Sequence, residues 1–116
     1  MQIFLSHSSK QKPLVREVVR NLPKYISTWI DEDKLLFGDD ITLSLEGAIK
    51  FDADYVILFL DEYAIDSTWV AKELEWALEA EKTHDRIILL TVVLDEIAFQ
   101  KIKNIEIQKR GWLAIM

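Results

Sequence analysis

Glu73 is the acidic residue in this sequence whose position most suggests chemistry. Trp69, Glu73 and Trp76 recur at positions i, i+4 and i+7, so on an α-helix they share one face. The neighbouring acids Glu75 and Glu79 fall on another face of the same helix, toward solvent. A carboxylate held between two indole rings could stabilise developing positive charge or act as a nucleophile.

Further polar residues follow the short apolar runs of the chain. The run Ser6–Ser9 follows the first apolar segment, Asp31 follows the second, and Asp61 follows the third. In open α/β sheets, ligands bind outside the carboxyl ends of the strands. We therefore expect these residues to share one edge of a sheet with the start of the Glu73 helix.

The elements that position these residues are predicted from hydrophobic periodicity. The predicted strands are Ile3–Leu5, Ile26–Ile30, Tyr55–Leu60, Ile87–Leu94 and a fifth beginning within Ile102–Ile107. Three helices are predicted from apolar residues at helical spacing. The first carries Val15, Val18, Val19 and Leu22, and the second carries Ile41, Leu45, Ala48 and Ile49. The third runs from a Ser67 or Thr68 cap to about Lys82, with Val70, Leu74, Ala77 and Leu78 facing inward. Alternating strands and helices with short connections predict an open, doubly wound parallel sheet.

Composition excludes several classes of function. The 116 residues fit one domain, and the net charge of −6 argues against a nucleic-acid partner. The absence of cysteine removes disulfides, zinc fingers and thiol catalysis, and it suits a reducing cytoplasm. His7 and His84 lack metal-ligand spacing, so no metal is expected. We expect no signal peptide and no membrane contact, because no apolar run approaches the roughly 20 residues of a membrane span.

Three motifs resemble those of TIR (Toll/interleukin-1 receptor) domains, especially the prokaryotic kind. Phe4–Lys10 resembles the first-strand signature of the family. Trp29–Asp31, followed by Leu35–Asp39, resembles the second strand and the long BB loop after it. Ser67–Leu74 resembles the W-x-x-x-E helix that carries the catalytic glutamate in NAD-cleaving members. The motifs stand in the family's order and cover about residues 2–95.

The resemblance and the periodicity together predict a flavodoxin-like fold, an open doubly wound parallel sheet of four to five strands with helices on both faces. Residues 1–116 would form one TIR domain that is part of a larger protein and lacks the family's last helix. The sequence departs from the family at Gln11, where many relatives have an acidic residue, so a polar network built on that acid is in doubt here.

The resemblance implies an NAD⁺ glycohydrolase or cyclase that cleaves the nicotinamide–ribose bond, with Glu73 as the catalytic residue. NAD⁺ is then the substrate, and no separate cofactor is expected. Ordinary glycoside hydrolysis needs a second carboxyl group to protonate the leaving oxygen. Nicotinamide leaves as a neutral molecule without a proton, so one carboxylate could suffice. The candidate substrate-binding residues are Ser6, His7, Ser8, Trp29, Asp31, Phe37, Gly38 and Trp69.

The resemblance also implies self-association or binding to other TIR domains, because family enzymes often complete the site when the BB loop of one domain closes the pocket of another. The cellular setting would be bacterial immune or stress signalling, such as antiviral defence. A non-catalytic TIR–TIR interaction module is the main alternative. A phosphate-accepting receiver domain is rejected, because Ser6–Ser8 stand where its acidic pair would be.

Simpler interpretations exist for each candidate residue. Without the family, Glu73 would more often be a surface or half-buried helix glutamate. Trp69 and Trp76 at helical spacing are more often core residues than ligand contacts, and we expect Trp76 to be core. His7 could simply satisfy backbone groups, and Asp31 could cap a turn.

Overall fold

The computed structural model describes residues 1–30, 45–102 and 113–114, which build one parallel sheet. Its strands are β1 (Gln2–Ser6), β2 (Ser27–Ile30), β3 (Tyr55–Leu60), β4 (Leu89–Val93) and β5 (Leu113–Ala114). Their spatial order is β2-β1-β3-β4-β5, and every neighbouring pair is parallel. This is the flavodoxin-like order, in which the strand order reverses between β1 and β3. The predicted fold class is confirmed.

Helices connect the strands. The α-helices are α1 (Lys12–Arg20), α2 (Thr68–His84) and α3 (Glu96–Lys101), and short turns of 3₁₀-helix cover Ser9–Gln11 and Ala64–Asp66. Residues 45–52 are helical and end in the π-helical segment Ala48–Asp52. Across the ranges given above, no helix has the length and apolar character needed to cross a membrane.

The predicted cap of α2 is confirmed. The Ser67 Oγ accepts a hydrogen bond of 3.2 Å from the Val70 amide, which satisfies one of the unpaired N–H groups at the start of the helix. The helix ends at His84 and is followed by Asp85, whose φ of 53° places it in the left-handed region. A residue in that region turns the chain out of the helix.

The chain after β4 differs from the prediction. Asp95 caps α3, a helix that the periodicity does not predict, by accepting a 2.8 Å hydrogen bond from the Ala98 amide. Ile102, the first residue of the range in which a fifth strand is predicted to begin, follows α3 directly and is not part of a strand. Residues 103–107 of that prediction lie outside the described residues, and the described fifth strand is Leu113–Ala114.

The two faces of the sheet are covered unequally. On one face, a register row joins Trp29, Phe4, Val56 and Leu89, and α2 and residues 45–52 contribute to the same buried cluster. On the other face, α1 contributes Val15 to a smaller cluster. The half-buried apolar residues of that second face include Tyr55, Ile57, Val92 and Leu94. Apolar side chains on both faces are what a parallel sheet requires, and they explain the uninterrupted apolar runs in the sequence.

Candidate active site

The loops after β1 and β3 start side by side, at the point where the strand order reverses. Ser6 is in register with Leu58, so both strands end at the same edge of the sheet. Ser6 and His7 are buried, with 0% and 1% of their surface exposed, and Ser8 is half-buried. The His7 Nδ1 lies 3.2 Å from the Leu5 carbonyl oxygen, which assigns its proton to Nδ1. This geometry places three predicted site residues at the ligand edge.

Asp61 joins these two loops. Its Oδ2 accepts hydrogen bonds from the Ser8 hydroxyl at 2.6 Å and the Gln11 side-chain amide at 3.0 Å. Its Oδ1 accepts from the amides of Tyr63 at 3.1 Å and Ala64 at 2.7 Å. Gln11 therefore donates to a polar network whose carboxylate is Asp61 on the β3 loop. Sequence reasoning places Asp61 at this edge and gives it no role; its position directly after a buried strand is the available signal.

A second carboxylate extends the connection to the loop after β4. The Asp95 Oδ2 accepts a 2.7 Å hydrogen bond from the Glu62 amide, while its Oδ1 caps α3. The loops after β1, β3 and β4 are thus held together by Asp61 and Asp95. Buried polar contacts of this kind fix loop positions, because breaking one leaves an unsatisfied group.

Glu73 lies on the buried side of α2. Its side chain has 0% exposure, whereas Glu75 and Glu79 on the same helix are both exposed. Trp76 is 7% exposed and belongs to the core, as predicted, and Trp69 is half-buried. The two indole rings meet edge to face, with centroids 6.1 Å apart and an interplanar angle of 88°. Glu73 is therefore not the surface glutamate that composition alone favours, since glutamate is rarely buried completely.

The Glu73 side of α2 faces the helical segment 45–52. Trp76, Ala80 and His84 continue the same stripe at intervals of four residues. The His84 Nε2 lies 2.9 Å from the Lys50 carbonyl oxygen, and the Lys50 Nζ lies 2.9 Å from the Glu79 Oε2. Two hydrogen bonds raise the pKa of Lys50, and the bond to Glu79 contributes more than the bond to Glu46. The stripe is held against this segment, which follows the BB-loop motif in sequence.

The predicted inward stripe of α2 is correct in part. Val70 and Ala77 are buried, but Leu74 and Leu78 are only half-buried. The helix packs against both the sheet and residues 45–52. Its buried face therefore includes Glu73 and lies to one side of the predicted stripe. Three cavities lined by described residues, including one of about 370 Å³, adjoin the Leu74 and Leu78 side of α2 or its end, and Glu73 lines none of these three.

Trp29 lies on the sheet face that α2 covers. Its ring centroid is 6.0 Å from that of Phe4 at an angle of 45°, and it is half-buried. Ser6 lies on the same face, because side chains two residues apart on a strand point the same way. Three further predicted site residues, Asp31, Phe37 and Gly38, lie outside the described residues.

These features define an α/β domain of flavodoxin-like strand order, with buried polar residues at the edge where its order reverses. The sequence matches the family described as TIR domain over residues 3–114. The chain belongs to the TIR domain family. The match continues beyond the three motifs and includes α3 and β5.

Two similar proteins extend the comparison. The NAD(+) hydrolase TcpA of Theionarchaea archaeon (strain DG-70-1) is 29% identical over 89 residues, which cover 75% of this chain and 27% of that protein. The chain thus spans about a quarter of the length of this relative. The TIR domains of the activated Roq1 resistosome directly recognising the pathogen effector XopQ share the fold, with a TM-score of 0.60 and 23% identity over 81% of this chain and 57% of that one.

Proposed function

We propose that this TIR domain is an NAD⁺ glycohydrolase or cyclase that cleaves the nicotinamide–ribose bond with Glu73. The observation that supports this most is the complete burial of Glu73 on the helix face that also carries Trp69 and Trp76, whose rings contact each other. Removing a glutamate from water costs free energy, and buried titratable groups of this kind occur often at functional sites. The similarity to a protein named as an NAD(+) hydrolase supports NAD⁺ cleavage as the proposed activity.

The proposed chemistry requires one carboxylate. As the nicotinamide–ribose bond breaks, positive charge develops on the ribose ring, and Glu73 stabilises that charge or bonds to the anomeric carbon. The bonding electrons leave with nicotinamide, which departs neutral. Water then completes hydrolysis, or a nucleophile within the same molecule completes cyclisation. Trp69 forms a wall of the site, against which a flat ring can stack.

We propose that the remaining substrate contacts come from the loops at the sheet edge. Within the described residues, Ser6, His7, Ser8 and Trp29 are the proposed contacts; Asp31, Phe37 and Gly38 are proposed from the sequence alone. The buried Ser6 and the half-buried Trp29 lie on the α2 side of the sheet, which supports their inclusion.

The burial of Glu73 also supports a dependence on self-association. A side chain with 0% exposure is closed to substrate in the single chain. We propose that association with further TIR domains rearranges the surroundings of Glu73 and gives NAD⁺ access to it. In this proposal the domain acts in the cytoplasm, in immune or stress signalling.

The experiment compares two glutamates of α2. Purified chain at high concentration is incubated with NAD⁺, with and without a crowding agent, and nicotinamide and ADP-ribose products are separated by chromatography. We expect Glu73→Gln, which keeps the side-chain shape, to lower the rate by at least about 100-fold. The control Glu75→Gln removes an exposed carboxylate from the same helix and should retain the rate.

Two results would contradict the proposal. Undiminished release by Glu73→Gln would remove Glu73 from the reaction. No release from the wild type under any assembling condition would favour the second candidate, a TIR–TIR interaction module in which Glu73 is a structural carboxylate. The same complete burial that supports catalysis is compatible with that structural role.

A further inference from the structure

The hydrogen bonds of Asp61 determine which way the β1 loop can bond to a ligand. A serine hydroxyl has one proton to donate and two lone pairs that accept. Ser8 donates its proton to the Asp61 Oδ2 at 2.6 Å, so toward a ligand its Oγ can only accept. The Gln11 Nε2 donates one of its two protons to Asp61 at 3.0 Å, so the Gln11 Oε1 is directed away from the carboxylate and can accept from a ligand, while one N–H proton remains.

The Ser8 hydroxyl bonds to a distant residue and does not cap the turn that follows it. Ser8 is the N-cap residue of the turn Ser9–Gln11, a position from which serine usually accepts a bond from the following backbone. Its side chain makes no such bond, and its hydroxyl instead reaches a residue 53 positions away in sequence. Asp61 therefore controls the direction of the Ser8 hydroxyl.

The same segment offers little to a phosphate group. The buried carboxylate of Asp61 lies behind Ser8 and repels anions. Pro13 in the first turn of α1 lacks the N–H group that a helix start would direct at an anion.

We infer that Asp61 is a specificity-determining residue. It makes the Ser8 Oγ and the Gln11 Oε1 acceptors that recognise the hydroxyl and amide donors of a nucleoside in preference to the diphosphate. The loop lies where the strand order reverses, which is the ligand edge of this fold. Ser8 and Gln11 are both half-buried and so retain an accessible side. This inference deepens the proposed function and rests on it for the identity of the dinucleotide.

Asp61→Asn gives a direct test, because it should reverse the polarity of the loop. The side-chain oxygen of the introduced asparagine has to stay with the Tyr63 and Ala64 amides, which are fixed donors. The NH₂ group of that asparagine then faces Ser8 and Gln11. Ser8 becomes the acceptor of that bond and turns its proton outward, and the Gln11 amide rotates to present its NH₂ group. The variant loop should therefore donate to a ligand instead of accepting.

The measurement is binding, followed by NMR on the ¹⁵N-labelled full chain. Nicotinamide riboside, adenosine and inorganic pyrophosphate are titrated separately, and the amide signals of residues 8–11 and the Gln11 side chain are monitored. In the wild type we expect a nucleoside to shift these signals and pyrophosphate to leave them unchanged. In Asp61→Asn we expect nucleoside affinity to fall about three- to tenfold, and pyrophosphate to shift the loop. The two nucleosides distinguish which half of the dinucleotide the loop contacts.

A second variant keeps the test valid if Asp61→Asn fails to fold. Ser8→Ala removes the acceptor and should weaken nucleoside binding without creating pyrophosphate binding, whereas Ser9→Ala, at the exposed neighbour, should change neither. The inference is overturned if pyrophosphate shifts the wild-type loop as much as a nucleoside does, if no nucleoside shifts it, or if a folded Asp61→Asn keeps the wild-type preference. None of these outcomes depends on turnover, so a chain that releases no nicotinamide but shows the expected binding pattern would contradict only the proposed function.

Discussion

Glu81, near the end of α2, shows how one side chain can secure the start of a strand. Its Oε2 accepts hydrogen bonds from the amides of Ile88 at 2.8 Å and Leu89 at 2.7 Å. Both of these residues are buried, so their amides have little access to water. The carboxylate of Glu81 therefore ties the loop between α2 and β4 to the helix that precedes it.

We expect Glu81→Ala to lower the free energy of unfolding by about 1–3 kcal/mol, because two buried amides lose a charged acceptor. Glu81→Gln keeps an acceptor oxygen and should cost less. Urea denaturation followed by circular dichroism measures both values. Glu75→Ala, at an exposed position of the same helix, serves as the control and should stay within about 0.5 kcal/mol of the wild type. An equal effect of the two alanine substitutions would contradict this role of Glu81.

At the scale of elements, the end of α2 is the position where backbone conformation limits the choice of residue. Asp85 has a φ of 53°, which most side chains adopt at a cost and glycine adopts freely. We expect Asp85→Gly to raise the free energy of unfolding by about 0.5 kcal/mol and Asp85→Ala to lower it. Both variants remove the same charge, so a difference of opposite sign in thermal denaturation isolates the backbone effect. Equal effects would show that the charge dominates instead.

Elements with strong local signals are predictable from the sequence, and the others are not. β3 lies at its predicted bounds, because six consecutive apolar residues are what a doubly covered strand needs. α2 is predictable from its serine cap and from the length of the stretch that shows a helical period. α3 has six residues, fewer than two turns, so it is too short for a periodic pattern. β5 has two exposed residues, so no burial pattern marks it.

The candidate site is predictable to the level of loops and one helix face, and no further. The positions of Ser8 and Asp61 at one edge follow from strand order. The bond between them joins residues 53 apart in sequence, and no local pattern encodes such a contact. The burial of Glu73 depends on how far α2 is rotated against residues 45–52, which is set by packing and not by periodicity.

At the scale of the whole molecule, the proposed dependence on assembly makes a quantitative prediction. Wild type is mixed with Glu73→Ala at constant total concentration, and nicotinamide release is compared with wild type diluted in buffer. We expect the rate per wild-type molecule to fall steeply on dilution in buffer and to be retained on dilution with the variant, because variant chains still supply association surfaces. Sedimentation velocity of each mixture checks that assembly is unchanged.

A rate per wild-type molecule that is constant in both dilution series would mean that a single chain is active, and the assembly requirement would be withdrawn. A fall in both series would mean that each site needs carboxylates from more than one chain, or that the variant does not associate. The sedimentation measurement separates these last two cases.

The perpendicular contact between Trp69 and Trp76 gives the candidate site an intrinsic optical signal. Two indole chromophores with centroids 6.1 Å apart couple their electronic transitions, and the coupling depends on their mutual angle. They are also four residues before and three residues after Glu73 on one helix face. A rearrangement that admits a dinucleotide to that carboxylate therefore has to perturb an intrinsic chiroptical signal, with no label introduced into the protein.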